Sequence, residues 1–166
     1  DHLVIDGASS DGTTSILQAH SKHLAVLVSE TDKGIFDAMN KGIKIADGDV
    51  IGFLNSDDFY AHKNVLTKVA EIFTDEPSID ACFADLIYTD EIDTTLEKRY
   101  WQSGEFSPGA FSTGWSPPHP TFYVRRSVFE RFGGFDLSYG VASDVELMMR
   151  FLELYKLRVK YVPDVW

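Results

Sequence analysis

The chain has 166 residues, 44% apolar and 13% aromatic, enough for one domain with a substantial buried core. Its 26 acidic residues outnumber 15 basic ones, and the resulting charge of −11 argues against nucleic acid or an anionic lipid surface as partner. No apolar run is long enough to span a bilayer, and the single Cys82, between Ala81 and Phe83, excludes an internal disulfide and reads as a packed thiol in a reducing compartment.

Leu3-Val4-Ile5 reads as a buried strand, followed by a turn over Asp6–Gly12 and a helix begun by Thr13 or Thr14 with Ile16 and Leu17. The chain opens at Asp1 inside that strand pattern, so an upstream segment, including a first strand, is expected to be missing. Ala25–Val28 is the next strand. A helical stripe of Ile35, Ala38, Met39, Gly42, Ile43 and Ala46 predicts a helix over 35–45, ended by Asp47-Gly48. Residues 49–54 predict a buried strand. Asn64 is expected to cap a helix with Val65, Leu66, Val69, Ile72 and Phe73 inward, stopped at Pro77. Ile79–Tyr88 gives a further strand.

Strand and helix thus alternate through the first ninety or so residues, the pattern of a mostly parallel α/β sheet. Residues 100–118 then become aromatic and rich in Gly, Ser and Pro, which predicts a long ordered covering loop. A strand over Pro120–Val124, a short helix over Ser127–Phe132, a helix capped by Ser143 and reaching about Tyr155, and a strand at Val159–Val162 complete a single domain over 1–166.

Asn55-Ser56-Asp57-Asp58 closes the 49–54 strand. In open α/β sheets ligands sit beyond the carboxyl ends of strands. Two adjacent carboxylates there repel one another unless a cation or donor-rich ligand offsets the charge, and all-oxygen ligands suit Mg²⁺ or Mn²⁺. The alternative is Asx chemistry that only shapes the turn. Three further clusters stand out: Asp6 with Ser9, Ser10 and Asp11; Glu30 to Gly34; and Asp144 with Glu146. Asx turns are the competing account of the first, and a favourable helix dipole that of the last. No glycine-rich phosphate loop follows the first strand, so phosphate would be held by metal and side chains.

Val4-Ile5-Asp6-Gly7-Ala8-Ser9-Ser10-Asp11-Gly12-Thr13 resembles the opening signature of family-two glycosyltransferases of the GT-A fold. Ser29 to Gly42, Gly48-Asp49 through Asp58, Pro118 to Phe122, and Gly133-Gly134-Phe135-Asp136 through Leu147 are similar, in order and spacing, to the later motifs of its bacterial polysaccharide subgroup. The resemblance implies a Rossmann-like, nucleotide-diphospho-sugar transferase fold with helices flanking the sheet. It implies Asp6 on the base of a donor such as UDP-sugar, Asp57 facing the ribose or metal shell, Asp58 on Mg²⁺ or Mn²⁺, and Asp144 as general base. Asp32, Lys33 and His119 are the further substrate-binding candidates. Many relatives carry Arg where this chain has Met39, which leaves Lys33 as the nearest cation.

The expected activity is metal-dependent, inverting hexosyl transfer to a saccharide or lipid-linked acceptor in cell-surface polysaccharide synthesis, in the cytoplasm or at the inner face of the membrane. An aspartyl-phosphate phosphotransferase fails for want of its nucleophile loop. A nucleotidyltransferase would open on a basic, Gly-rich loop. An incomplete nucleotide-sugar-binding fragment stands as the other alternative.

Overall fold

The computed structural model describes residues 1–166. β1 (Leu3–Asp6) and β2 (Val26–Ser29) pair in parallel, from Leu3 opposite Val26 to Asp6 opposite Ser29, with α1 (Thr13–Ala19) crossing between them. Asp11 starts α1 by accepting from the Thr13 amide (3.1 Å) and hydroxyl (2.7 Å). Ile16, expected to pack, is exposed. α2 (Ile35–Ile45) has the predicted bounds and returns over β1, where bare Gly42 lets it approach Ile5.

The predicted 49–54 strand is corrected to β3, Val50–Ile51, which pairs antiparallel with β6 (Tyr123–Arg125). The ladder stops because the Tyr123 ring lies against Gly52, and Phe53 turns its ring onto His119 instead of continuing the pleat. Leu54 is exposed. β1 and β3 do not pair, and β1–β2 stands apart from β3-β6-β4-β5, so the expected mostly parallel single sheet is not formed.

β4 (Ala81–Thr89) is the hub. Its first half lies between antiparallel β6 and parallel β7 (Val159–Val165), and its second half pairs antiparallel with β5 (Glu97–Trp101). The α/β class holds, with parallel pairing confined to β1–β2 and β4–β7. Alternation along β4 divides the core. Ala81 and Phe83 face a cluster with Phe129 of α4 (Arg126–Phe132) and Leu147 and Met148 of α5 (Ser143–Met149). Cys82 and Ala84 face Val65, Val69 and Phe73 of α3 (Val65–Asp75). Leu66, expected inward, is exposed because it lies off that i, i+4, i+8 stripe. Asn64 precedes α3 without a side-chain cap bond. Burial pushes the Cys82 thiol up to about 12, so it is a packing group.

The 100–118 segment is ordered, as expected. The buried Asp85 carboxylate accepts from the Ser103 amide (2.8 Å) and from the hydroxyls of Tyr100 (2.6 Å) and Tyr161 (2.9 Å). Trp115 donates its indole N–H to Ser103 O (2.7 Å) and packs on Phe83, Phe106 and Phe111, which makes it a core residue. The expected strand over Pro120–Val124 is instead a 3-10 turn at His119–Thr121 leading into β6, because Thr121 Oγ1 bonds back to Ala84 O and Pro118 O, 3.0 Å each. Ser143 is the first residue of α5, and that helix continues as a π-helical turn over Arg150–Leu154.

Gly52→Ala tests the Tyr123 contact. An added methyl overlaps the ring, and overpacking of this kind costs about 2 kcal/mol, whereas Gly48→Ala has room and stays near parental in chemical denaturation.

Candidate active site

Asp6 is buried at the tip of β1 and its carboxylate is heavily used. Oδ2 accepts from the Ser9 amide (3.1 Å) and the Ser29 hydroxyl (2.6 Å), and Oδ1 from the Ser9 hydroxyl. The Ser29 and Ser9 hydroxyls hold it below its ordinary pKa. Asp6 therefore ties the β1 and β2 tips together. The two loops touch again at Gly7, where a Cβ would meet Asp32 Oδ2 at 2.6 Å. Asp32 Oδ1 accepts from the Gly34 amide (2.8 Å), and Asp37 at the start of α2 accepts from the Lys33 amide (2.9 Å). The Lys33 side chain is exposed and makes no ion pair, whereas Lys41 is held by Glu30 (2.9 Å) and Thr31 O (2.8 Å).

The Asn55–Asp58 turn is closed by the Asp58 amide on Asn55 O (3.1 Å) and by Asn55 Nδ2 on Asp58 Oδ2 (2.8 Å). That second bond fixes the amide orientation and leaves Asn55 Oδ1 buried with no donor. Asp57 is exposed. The Asp58 carboxylate is a hard oxygen donor, which fits Mg²⁺ or Mn²⁺ whose remaining positions are filled by a ligand's oxygens. No group of three or more His, Cys, Asp and Glu converges to hold a cation by protein alone.

The turn before α5 is gripped from two sides. Asn40 of α2 donates to Phe135 O and accepts from the Phe135 amide, both at 2.9 Å. Arg150 donates to Phe132 O and Gly134 O, both at 2.7 Å, and pairs with Glu146 (2.7 Å). Ser143 donates to Asp136 O and Gly140 O. Glu146 is thus committed to Arg150. Asp144 accepts only from the Val145 amide (2.8 Å), so its second oxygen is free. Asn40 and Arg150 were not anticipated; the i, i+4 spacing of Glu146 and Arg150 was the available signal.

His119 joins these loops. Its ring stacks on Phe53 (centroids 5.6 Å apart) and meets Phe135 (5.5 Å) and Phe36 (6.5 Å) edge-on. Burial lowers the imidazole's pKa, and the nearby Asp144 carboxylate opposes that shift. A cavity of about 240 Å³ between the start of α2 and the turn before α5 is lined by Lys33, Ile35, Phe36, Leu137, Val141 and Ser143. The structure therefore brings the Asp6 turn to Asp32 and Lys33 to the turn before Asp144, with the Asn55–Asp58 turn attached to His119 through Phe53.

The α/β fold, with carboxylates at strand tips and at a helix start, matches that of solved GT-A glycosyltransferases. Residues 2–133 match the model of glycosyl transferase family 2, and the chain belongs to that family. It is 30% identical to an uncharacterized glycosyltransferase of Mycobacterium tuberculosis over 90% of this chain and 56% of the relative. It is 29% identical to a PGL/p-HBAD biosynthesis glycosyltransferase of the same species (98% and 62%) and 24% identical to the O-antigen chain rhamnosyltransferase WbaN of Salmonella anatum (93% and 52%). The chain spans less than two thirds of each. Among solved structures it superposes on a Pyrobaculum calidifontis mannosyltransferase in complex with GDP-Man and Mn²⁺ (TM-score 0.68, 22% identity, 98% of this chain, 46% of the other). It also superposes on S. aureus TarS 1–349 in complex with UDP (TM-score 0.69, 19% identity, 98% and 48%). No helix is long and apolar enough to cross a membrane.

The Asp6 tie has a pH signature. A carboxyl whose folded pKa lies below its ordinary 3.8 stabilises the fold above that pH, and the contribution is lost as pH falls through the folded value. Ser29→Ala should shrink this acid-side difference, so that parent and variant melting curves differ at neutral pH and converge in strong acid.

Proposed function

We propose that the chain is the donor-binding and catalytic unit of a metal-dependent, inverting hexosyltransferase using a nucleotide-diphosphate sugar. The observation that carries the assignment of the base is the division of labour at α5: Glu146 is locked by Arg150, while Asp144, next to the cavity-lining Ser143, keeps a free oxygen. Asp144 takes the proton of the acceptor hydroxyl as its oxygen attacks the anomeric carbon from the face opposite the departing diphosphate. Asp6 accepts from a nucleobase N–H, while Asp32 and Lys33 hold donor groups. Asp57 faces the ribose or the cation's shell. Asp58 holds Mg²⁺ or Mn²⁺. The cation supplies Lewis-acid stabilisation of the negative charge on the departing diphosphate. His119 is a substrate-side contact, its ring stacked on Phe53 above the Asn55–Asp58 turn.

UDP is the first nucleotide to test, with GDP beside it; the structural neighbours in complex with UDP and with GDP-Man support both. The acceptor is a saccharide or lipid-linked glycan of the cell surface, a reading supported by the O-antigen and PGL/p-HBAD relatives. We place the reaction in the cytoplasm or at the inner membrane face. A second reading, nucleotide-sugar binding without turnover by this unit alone, is favoured by the break in hydrogen bonding between β1 and β3.

Two measurements test the assignment. Calorimetry with UDP and GDP should show tighter binding with Mn²⁺ than without, and Asp58→Ala should remove the difference; equal affinity in all four conditions removes the metal role. Asp144→Asn should keep nucleotide binding and lose about two to four orders of magnitude in transfer. Glu146→Gln should instead lower thermal stability, because it weakens the grip of Arg150 on the Gly134 turn. Retention of transfer in Asp144→Asn would reject it as the base.

A further inference from the structure

Beyond Asp85, β4 leaves β6 and β7 behind and is paired only with β5. β3 and β4 are each antiparallel to β6, so they run in the same direction. The β4–β5 hairpin therefore projects from the edge of the sheet at which the Asn55–Asp58 turn follows β3. Tyr88 stands six residues past Cys82, the last β4 residue opposite β6, or about 20 Å along an extended strand. The tip of this arm is ordered: Asp90 accepts from the amides of Ile92 (2.9 Å) and Asp93 (3.0 Å), and Asp93 from the Thr95 amide (3.1 Å) and hydroxyl (2.6 Å).

One face of the arm carries two rings and a cation. Tyr88 stands opposite Arg99 and Leu86 opposite Trp101, so Tyr88, Arg99 and Trp101 point the same way. The Tyr88 and Trp101 rings are nearly parallel, with 15° between their planes and centroids 6.4 Å apart. The Arg99 guanidinium lies 5.5 Å from each ring centroid, within cation–π range of both. The opposite face is the one on which Tyr100 reaches the buried Asp85. Tyr88 and Arg99 are exposed and Trp101 is half-buried. Arg99 has no carboxylate of its own. The register shift after Tyr88 sets Glu97 opposite Thr89, and Asp90 is taken by Lys98 (2.9 Å). The guanidinium makes no hydrogen bond or ion pair within the chain, so its donors are unused while its plane is held by the rings.

A ligand suited to this face has an apolar side for the rings and hydrogen-bond acceptors at its rim. A pyranose has both, C–H groups on its face and hydroxyl oxygens around its edge. Rigid aromatic side chains give contact area at small entropic cost, and a guanidinium already held in place loses little freedom on meeting those hydroxyls. The exposed Glu91, Asp93 and Glu97 nearby disfavour an anion, which selects an uncharged sugar over an acidic one. We propose that the Tyr88–Arg99–Trp101 face of the β4–β5 arm is a saccharide-binding site that holds an uncharged stretch of the acceptor glycan away from its reacting end. This rests on the reading of the acceptor as a glycan and is independent of which residue is the base.

The test is a glycan array of mannose, rhamnose, glucose and galactose oligosaccharides and bacterial O-polysaccharides, probed with the full chain in the presence and absence of UDP and Mn²⁺. The parent should bind oligosaccharides or polysaccharides on it. Tyr88→Ala and Trp101→Ala should each weaken that binding about tenfold, and Arg99→Gln, which keeps both rings, should weaken it less. All three should retain the parental UDP affinity, which shows that the fold is intact; where Trp101→Ala does not fold, Trp101→Phe replaces it with the same direction of change. In solution, the Trp101 indole ¹H–¹⁵N resonance, assigned by its loss in Trp101→Phe, should move on addition of the glycan selected by the array. Those of Trp115 and Trp166, which are packed on Phe83 and Tyr123, should stay. Glycan binding unchanged in all three variants, or a Trp101 resonance that does not move, overturns the arm site and leaves the glycan acceptor standing. Arm variants that lose self-association but keep glycan binding would make this face a contact between copies and overturn the proposal as well. A parent that binds no glycan in either condition defeats the arm site together with the reading beneath it.

Discussion

The double hydrogen bond between the Asn40 amide and the backbone of Phe135 is the constraint on which the site depends. It works as a one-residue ladder between a helix and a turn 95 positions apart in the chain. A side-chain amide that uses donor and acceptor on one residue fixes both distance and rotation, which a single bond does not. Gly134 has to be bare because Asn40 occupies the space of its side chain. Phe135 is thereby aimed at Phe36 and Phe53, and His119 is caged among all three. Arg150 takes Gly134 O from the other direction, so α2 and α5 both hold the turn that leads to Asp144.

Where one helix face met one core, residue spacing was enough. The bounds of α2 were legible as a stripe between Gly34, at φ 111°, and Asp47-Gly48. Residues 49–54 were misjudged because burial looks alike whether the neighbour is a strand or an aromatic ring. Only Val50 and Ile51 pair, and Phe53 is covered by His119, Phe129 and Phe135. β5 went unread because Glu97-Lys98-Arg99-Tyr100-Trp101 lacks the alternation of a half-buried strand. It is held by β4 and by Tyr100 reaching Asp85, a contact visible only once β4, β5 and β7 are placed.

At the site, the clusters of carboxylates were legible but their division was not. Asp144 and Glu146 are two residues apart and look interchangeable in a list of acids. The difference is made by Arg150, one turn further on, whose guanidinium needs Phe132 O and Gly134 O as well as Glu146 to be satisfied. A planar donor fork engaged on three acceptors cannot release one carboxylate cheaply. Likewise Asp6 was legible as important, yet its first task is structural, joining two strand tips through Ser9 and Ser29.

Charge gives the proposed chemistry its direction. In the proposed reaction a chain at −11 accepts a diphosphate, itself an anion, beside Asp57 and Asp58. Most cations near the motifs are already spent: Lys41 on Glu30, Arg150 on Glu146, Arg126 on Glu130, and Arg125 on the carbonyls of Phe73, Pro77 and Ile79. Lys33 is unpaired, but a single exposed ammonium is screened by solvent and offsets little. In the proposed reaction the charge that balances the diphosphate therefore enters with the nucleotide, as its divalent cation. The same requirement joins the acidic surface to the metal dependence proposed for Asp58: the fewer cations the chain leaves free, the more of the diphosphate's charge a divalent ion has to offset.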